Sequence, residues 1–226
     1  MRSDIYDLKS IYASPLFRGF DEEQIDSLLY DFPLDIKTYT KGEIIIRQGD
    51  SVKKIGIILE GCVMSNKYHY DGTSQLLQVL QKNDILGIEA ISSTFLTSPY
   101  MNTADDFCII AFFPYVSFIN SREIEDAKKL RLSTNVLNIV SDDSIRKMYK
   151  IDVLTKRRLR ERILTYLSII SEKKHSKTID IGMTQDQFAH YLCVNRSVLS
   201  KELNMMKREK IIDFRGSMYV IFENNK

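Results

Sequence analysis

Two short clusters of side chains carry the most suggestive chemistry: Thr184 and Gln185, then Asn195, Arg196, Ser197, Ser200 and Lys201. They form neither a nucleophile–base set nor a metal-ligand set. They are hydroxyls, amides and cations, the groups that hydrogen-bond to nucleic acid. Residues i, i+1, i+4 and i+5 of a helix lie on one side, so Arg196, Ser197, Ser200 and Lys201 share a face. Arginine donates two hydrogen bonds to O6 and N7 of guanine, and serine is short and adaptable. The major groove, about 12 Å wide, admits one α-helix, whose N-terminal residues meet the base edges. Thr184 and Gln185, at the start of the preceding helix, suit phosphate oxygens. The expected partner is double-stranded DNA.

These residues need two short helices and a tight turn. Thr184 is an N-cap for a helix running through Phe188, Ala189 and Leu192. Cys193-Val194 makes the turn. Asn195 caps a second helix with Val198, Leu199, Leu203 and Met206 inward. That is a helix-turn-helix. Ile211-Ile212-Asp213-Phe214 and Met218-Tyr219-Val220-Ile221-Phe222 flank Arg215-Gly216-Ser217, a hairpin that forms a wing. Charge agrees. From Val153 to Lys226 there are 15 lysines and arginines against 8 acidic residues, net +7, whereas the rest has 17 against 22, net −5. A basic third on an acidic body suits a polyanionic partner.

Other chemistries find little support. The sequence has no P-loop and no H-E-x-x-H, and its three histidines (His69, His175, His190) fit no catalytic pattern, so an enzyme is not expected. Cys62, Cys108 and Cys193 form no C-x-x-C pair and read as small apolar filler. No cofactor and no metal are expected. No apolar run reaches the roughly 18–20 residues of a membrane span, and the N-terminus lacks a signal-peptide core. The expected location is the cytoplasm.

Upstream, residues 3–32 read as helical, with Asp21 and Gln24 in a capping-box pattern. From Leu34 to Pro114, short β-rich runs alternate with turns: Glu43–Arg47, Lys54–Leu59, Cys62–Ser65, Leu76–Leu80 and Phe107–Phe112. Six of the nine glycines fall in this span, a rhythm that implies a sandwich or jelly-roll barrel. Residues 121–150 contain no Gly or Pro and predict one long helix, with Leu130, Val136, Leu137, Val140, Ser144 and Met148 on one face. Such a stripe needs cover from the barrel, from a second copy of the chain, or from both. Ile151-Asp152 reads as a hinge. A helix over Thr155–Ser171 follows, with Leu159, Ile163, Leu164 and Leu167 inward and Lys156, Arg157, Arg158, Arg160 and Arg162 on its polar side. Thr178–Ile181 is a short strand.

The chain also resembles the Crp/Fnr family of bacterial transcription regulators. The similarity rests on Ser14-Pro15-Leu16-Phe17, Lys41-Gly42-Glu43-Ile44-Ile45, Gln48-Gly49-Asp50, Ile57 to Val63, Asp84-Ile85-Leu86-Gly87, and Val194 to Leu203. The implied fold is α+β: an N-terminal double-stranded β-roll of the cyclic-nucleotide-binding type over 1–120, a dimerisation helix over 121–150, and a winged helix-turn-helix over 151–226. The resemblance implies a homodimer on a palindromic operator, contact with RNA polymerase, and base reading by Arg196, Ser197 and Lys201, with Asn195 and Thr184 at cap and phosphate positions. It also places a candidate effector pocket at Gly87, Glu89, Thr97 and Ser98. The family's nucleotide binders carry an Arg-Ser or Arg-Thr pair in the roll, but residues 97–104 contain no arginine. A buried phosphate without a cation costs several kcal/mol, so cyclic AMP is not the expected effector, whose identity stays open. His69, a candidate haem ligand, reads as an exposed strand residue. The alternative function is a cyclic-nucleotide-binding module signalling to protein partners.

Overall fold

The structure, a computed structural model, describes residues 8–222. The chain divides into two compact units, Met1–Asp143 and Ser144–Lys226.

The first unit opens with α1 (Leu8–Tyr12), a 3₁₀ turn (Pro15–Phe17) and α2 (Glu22–Asp31). The stretch expected to be helical thus holds two α-helices with a 3₁₀ turn between them. Pro15 and Gly19 prevent a continuous helix, because proline lacks a donor and Gly19 takes a φ of +81°. Residues 3–7 of the expected helix lie outside the described residues. The Asp21 box forms: its carboxylate accepts from the Gln24 N–H at 2.8 Å, and the Gln24 carbonyl accepts from the Asp21 N–H at 3.2 Å.

The β-roll follows: β1 (Asp35–Tyr39), β2 (Ile44–Ile46), β3 (Ile55–Glu60), β4 (Val63–Tyr68), β5 (Ser74–Leu80), β6 (Ile85–Leu86), the short α3 (Ile88–Ile91), β7 (Met101–Ala104) and β8 (Cys108–Phe113). Two four-stranded antiparallel sheets form, in the orders β1-β8-β3-β6 and β2-β7-β4-β5. The buried core contains Ile57, Val63, Leu80, Ala104, Ile110 and Phe113. Residues Ile55 to Leu59 of β3 are all buried. A run buried on both faces reads as continuously apolar, and α1 covers the outer one. The expected strands all form, within a residue or three at their ends. Three were not anticipated: β1, whose sequence DIKTY carries little apolar signal, the two-residue β6, and β7. His69 is exposed in the β4–β5 turn rather than on a strand.

Gly61 turns the chain between β3 and β4 with φ +90°, and a Cβ there would lie 2.2 Å from the Phe107 carbonyl oxygen and 2.7 Å from the Cys108 Sγ. Backbone cannot yield as a flexible side chain can. Gly61→Ala is therefore expected to destabilise the roll by about 2–4 kcal/mol, read as a lowered denaturation midpoint at unchanged slope. A midpoint unchanged from wild type would contradict this close approach.

After α4 (Tyr115–Asn120), α5 runs from Asp126 to Thr155 as 30 unbroken helical residues, about 45 Å long. The expected hinge at Ile151-Asp152 lies inside this helix. Neither residue is a helix breaker, and the Asp152 carboxylate pairs with Lys156 one turn on, at 2.8 Å. The break falls at residues 156–158. Nor is the expected single face correct. In the first unit, Leu132, Asn135 and Val136 are buried, and the Asn135 amide donates to the carbonyls of Leu16 and Arg18, both at 2.9 Å. Leu130 and Leu137 point elsewhere, as do Ile145, Met148 and Ile151 further along, and all five are exposed. Adjacent Val136 and Leu137 differ by about 100° around the axis, which separates the two faces.

Candidate nucleic-acid interface

The second unit is built around α6 (Leu159–Lys174), β9 (Thr178–Asp180), α7 (Gln185–Tyr191), α8 (Arg196–Arg208), β10 (Ile212–Arg215) and β11 (Met218–Ile221). Its core gathers Ile163, Tyr166, Leu167, Phe188, Leu199, Leu203, Met206 and Tyr219. Leu159 and Leu164, expected inward on α6, are half-buried, and Tyr166 takes the buried place instead. α6 starts four residues later than expected, after the break.

Thr184 caps α7 as expected. Its hydroxyl accepts from the Gln187 N–H at 3.2 Å, while the Gln187 side-chain oxygen accepts from the Thr184 N–H at 2.8 Å. The turn closes through Cys193 N–H to His190 O (3.1 Å) and Val194 N–H to Ala189 O (3.0 Å). Cys193 sits at φ +57° and is exposed, so it is a turn residue and not apolar filler. The Arg162 guanidinium donates to the Leu192 carbonyl at 3.2 Å and, on its other side, to Lys156 O at 2.9 Å. The expected polar side of α6 therefore turns partly inward.

Asn195 holds the N-cap position of α8, but its side chain makes no capping bond. Arg196, Ser197 and Lys201 are exposed, and Ser200 is half-buried. Val198, expected inward, is 47% exposed. At 100° per residue it lies on the flank of a face centred on Leu199, Leu203 and Met206. The outward stripe at i, i+4, i+7 and i+11 continues from Ser197 and Lys201 to Asn204 and Arg208, both exposed and not foreseen. Asn204 folds back, donating to the Ser200 carbonyl at 2.8 Å. Thr184 is exposed and Gln185 half-buried at the start of α7. The wing forms with Gly216-Ser217 at its tip, and β9 pairs with β11 to make a three-stranded sheet. Asp180 braces that sheet: hydrogen bonds from the Gly182 N–H and from Ser217 hold its carboxyl below the usual range.

Known proteins share this arrangement. The "Cyclic nucleotide-binding domain" family matches residues 36–123, and the "Crp-like helix-turn-helix domain" family matches residues 161–224. The chain is 21% identical, over 84% of its length and 75% of the relative's, to the fumarate and nitrate reduction regulatory protein of Yersinia pestis. Its fold matches that of the c-di-GMP-responsive global regulator CLP of Xanthomonas campestris, with a TM-score of 0.68 at 14% identity over 90% of this chain and 100% of that one. It also matches a CooA mutant from Carboxydothermus hydrogenoformans, with a TM-score of 0.68 at 17% identity over 87% and 86% of the two chains. The chain belongs to the Crp/Fnr family. It is a DNA-binding transcription regulator. Among the described residues no helix is long and apolar enough to cross a membrane.

In this Crp/Fnr-family roll, the sequence-derived pocket residues fall in different settings. Gly87 takes φ +80° at the start of α3. The Glu89 carboxylate accepts a short hydrogen bond from the Tyr100 hydroxyl and a long one, 3.5 Å, from the Gln78 amide. Ser98 is buried and donates to the Tyr100 carbonyl at 2.6 Å. Thr97 is exposed and bridges to Ser51. Tyr100 thus joins Glu89 to Ser98, which sequence reasoning missed. It also missed Lys67, whose ammonium donates to the Pro99 carbonyl at 2.8 Å. Only pairing across the sheet, invisible in a linear reading, brings Gln78, Lys67 and Tyr100 to this segment.

The DNA-binding unit of this Crp/Fnr-family protein contains an unusual cation. Lys150, near the end of α5, is 6% exposed, with its Nζ 4.1 Å from the centre of the Tyr191 ring. Burial lowers its pKa to about 8, opposed by Cys193. An unfolded lysine titrates near 10.4, so between about pH 8 and 10.4 the unfolded chain binds the extra proton, and stability from this group rises with pH. Lys150→Met is expected to stabilise the unit by about 1–2 kcal/mol at pH 7, after allowing for the lost ring contact. The gain shrinks towards pH 10 in chemical denaturation. A gain that does not change with pH would contradict this origin.

Proposed function

We propose that the protein acts in the cytoplasm as a homodimer, placing the two copies of α8 in successive major grooves of a palindromic operator. The observation that carries the reading is the start of α8, where Arg196, Ser197 and Lys201 are exposed above a sealed core of Leu199, Leu203 and Met206. Arg196, Ser197, Ser200 and Lys201 read base edges, with Arg196 suited to guanine. Thr184, Gln185 and Asn195 meet phosphates, and the absence of a side-chain cap leaves the Asn195 amide available for that contact.

Dimerisation is supported by the exposed face of α5. Leu130, Leu137 and Ile151 fall on a seven-residue repeat with Ser144, and Met148 lies one turn before Ile151. An apolar stripe at that period packs against a copy of itself. RNA polymerase is the further partner that the family resemblance suggests. An effector, if the roll takes one, is not cyclic AMP: residues 97–104 supply no arginine for its phosphate, and Lys67 is engaged by a main-chain carbonyl. The test is selection from a random-sequence duplex library, followed by footprinting. Recovery of a two-fold symmetric site with half-sites about one helical turn apart is expected. Recovery of no preferred sequence would overturn the reading.

A further inference from the structure

Arg160, in the first turn of α6, reaches across to the recognition helix. Its Nε lies 2.6 Å from Glu202 Oε1, while Nη1 and Nη2 lie 2.6 and 3.1 Å from the two oxygens of Glu209. One planar guanidinium therefore serves two carboxylates seven residues apart, two turns along α8. The Glu209 pairing is the two-bond, fork-to-fork geometry that makes arginine–carboxylate contacts strong and directional. The Glu202 side chain is 19% exposed and that of Arg160 30%, so solvent screens the inner pair only partly.

We propose that Arg160 supports DNA binding by charge compensation: paired with Glu202 and Glu209, it keeps the recognition helix free of uncompensated negative charge. Glu202 directly follows Lys201 and is the one acidic residue within α8, and Glu209 caps its C-terminus. A helix inserted between phosphate rows feels their field along its whole length. Two carboxylates released there would oppose the contribution of Arg196, Lys201, Lys207 and Arg208. The inference rests on α8 being the element that enters DNA, yet its electrostatic part applies to any duplex sequence.

The experiment compares full-length wild type with Arg160→Ala and with Arg160→Ala/Glu202→Gln/Glu209→Gln. Two probes are used: the duplex that wild type selects from a random library, and a random-sequence duplex of equal length. At about 0.1 M salt, Arg160→Ala is expected to bind both probes about 10–30-fold more weakly, with a log–log salt slope shallower by about 1–2. The triple variant, which lacks both the cation and the two negative charges, is expected to recover to within about 3-fold of wild type. Arg160→Ala binding within 2-fold of wild type overturns the proposal. So does a triple variant as weak as the single one, because Arg160 would then act by touching DNA itself or only by supporting the fold. If Arg160→Ala proves unfolded by circular dichroism, the triple variant decides alone: near-wild-type binding supports the proposal and loss overturns it. If wild type prefers no sequence but the three proteins still rank as expected on random duplex, the base-reading assignment falls and the charge pairing stands.

Discussion

Leu137→Glu is expected to give a folded monomer that binds a full operator at least about 100-fold more weakly than wild type. Leu137 is 63% exposed on α5, and no other exposed apolar residue of that helix lies nearer the middle of the stripe running from Leu130 to Ile151. In a dimer the glutamate would meet its own symmetry mate, because a two-fold interface juxtaposes the same patch from both chains. Two carboxylates desolvated against each other and against leucine would cost several kcal/mol, more than the burial of a single leucine returns. The DNA penalty follows from linkage. Once one half-site is occupied, a dimer presents its second head at millimolar effective concentration, an advantage of about 10²–10⁴ that a monomer lacks. Sedimentation velocity measures the first effect, and gel shift on one-half-site and two-half-site duplexes the second. Wild type and variant should bind a single half-site alike. Tyr30→Glu, at an 88% exposed position on α2, is the control for a surface charge and should change neither readout. A Leu137→Glu protein that sediments as wild type does would remove α5 from the interface.

The sequence revealed elements whose signals are local. The N-cap role of Thr184, the inward-facing Leu199 and Leu203, and the glycine turn of the wing each depend on neighbours within a few residues, and each is legible. β1 is not. Its sequence, DIKTY, gains strand character from pairing with Phe112 to Cys108 on β8, about 70 residues away. The long helix shows both sides of this. A helix free of Gly and Pro was readable, but its division into a roll-facing side with Asn135 and an exposed side with Leu137 depends on where the Leu16 and Arg18 carbonyls lie. Val198 is apolar and so reads as inward, yet the three residues that seal α8, Leu199, Leu203 and Met206, already fill the 3.6-residue period. At the interface, the exposed cations could be read from spacing, whereas Arg160 could not. It looked like one more charge on a basic helix face, and only folding brings it to two carboxylates more than 40 residues away.

The remaining strong prediction concerns Arg196, and it separates reading from mere attraction. Arg196 is the first residue of α8 and exposed. Among the described residues no hydrogen bond or ion pair holds its guanidinium, so removing it should leave the fold intact. A bidentate contact to guanine is worth about 1–3 kcal/mol of discrimination, and a symmetric operator presents it twice. Arg196→Ala should therefore lose about 2–6 kcal/mol on the selected duplex and become indifferent to the base at one position in each half-site. On random duplex the loss should be far smaller, because only a general attraction to phosphates is removed. The comparison to make is a competition assay with every single-base variant of the half-site, for wild type and Arg196→Ala at one salt concentration. If Arg196 instead grips a phosphate, affinity would fall by a similar factor on every duplex, base preference would survive, and the salt slope would drop by about one per half-site. That pattern would move Arg196 from the readers to the anchors, leaving Ser197, Ser200 and Lys201 to account for sequence choice.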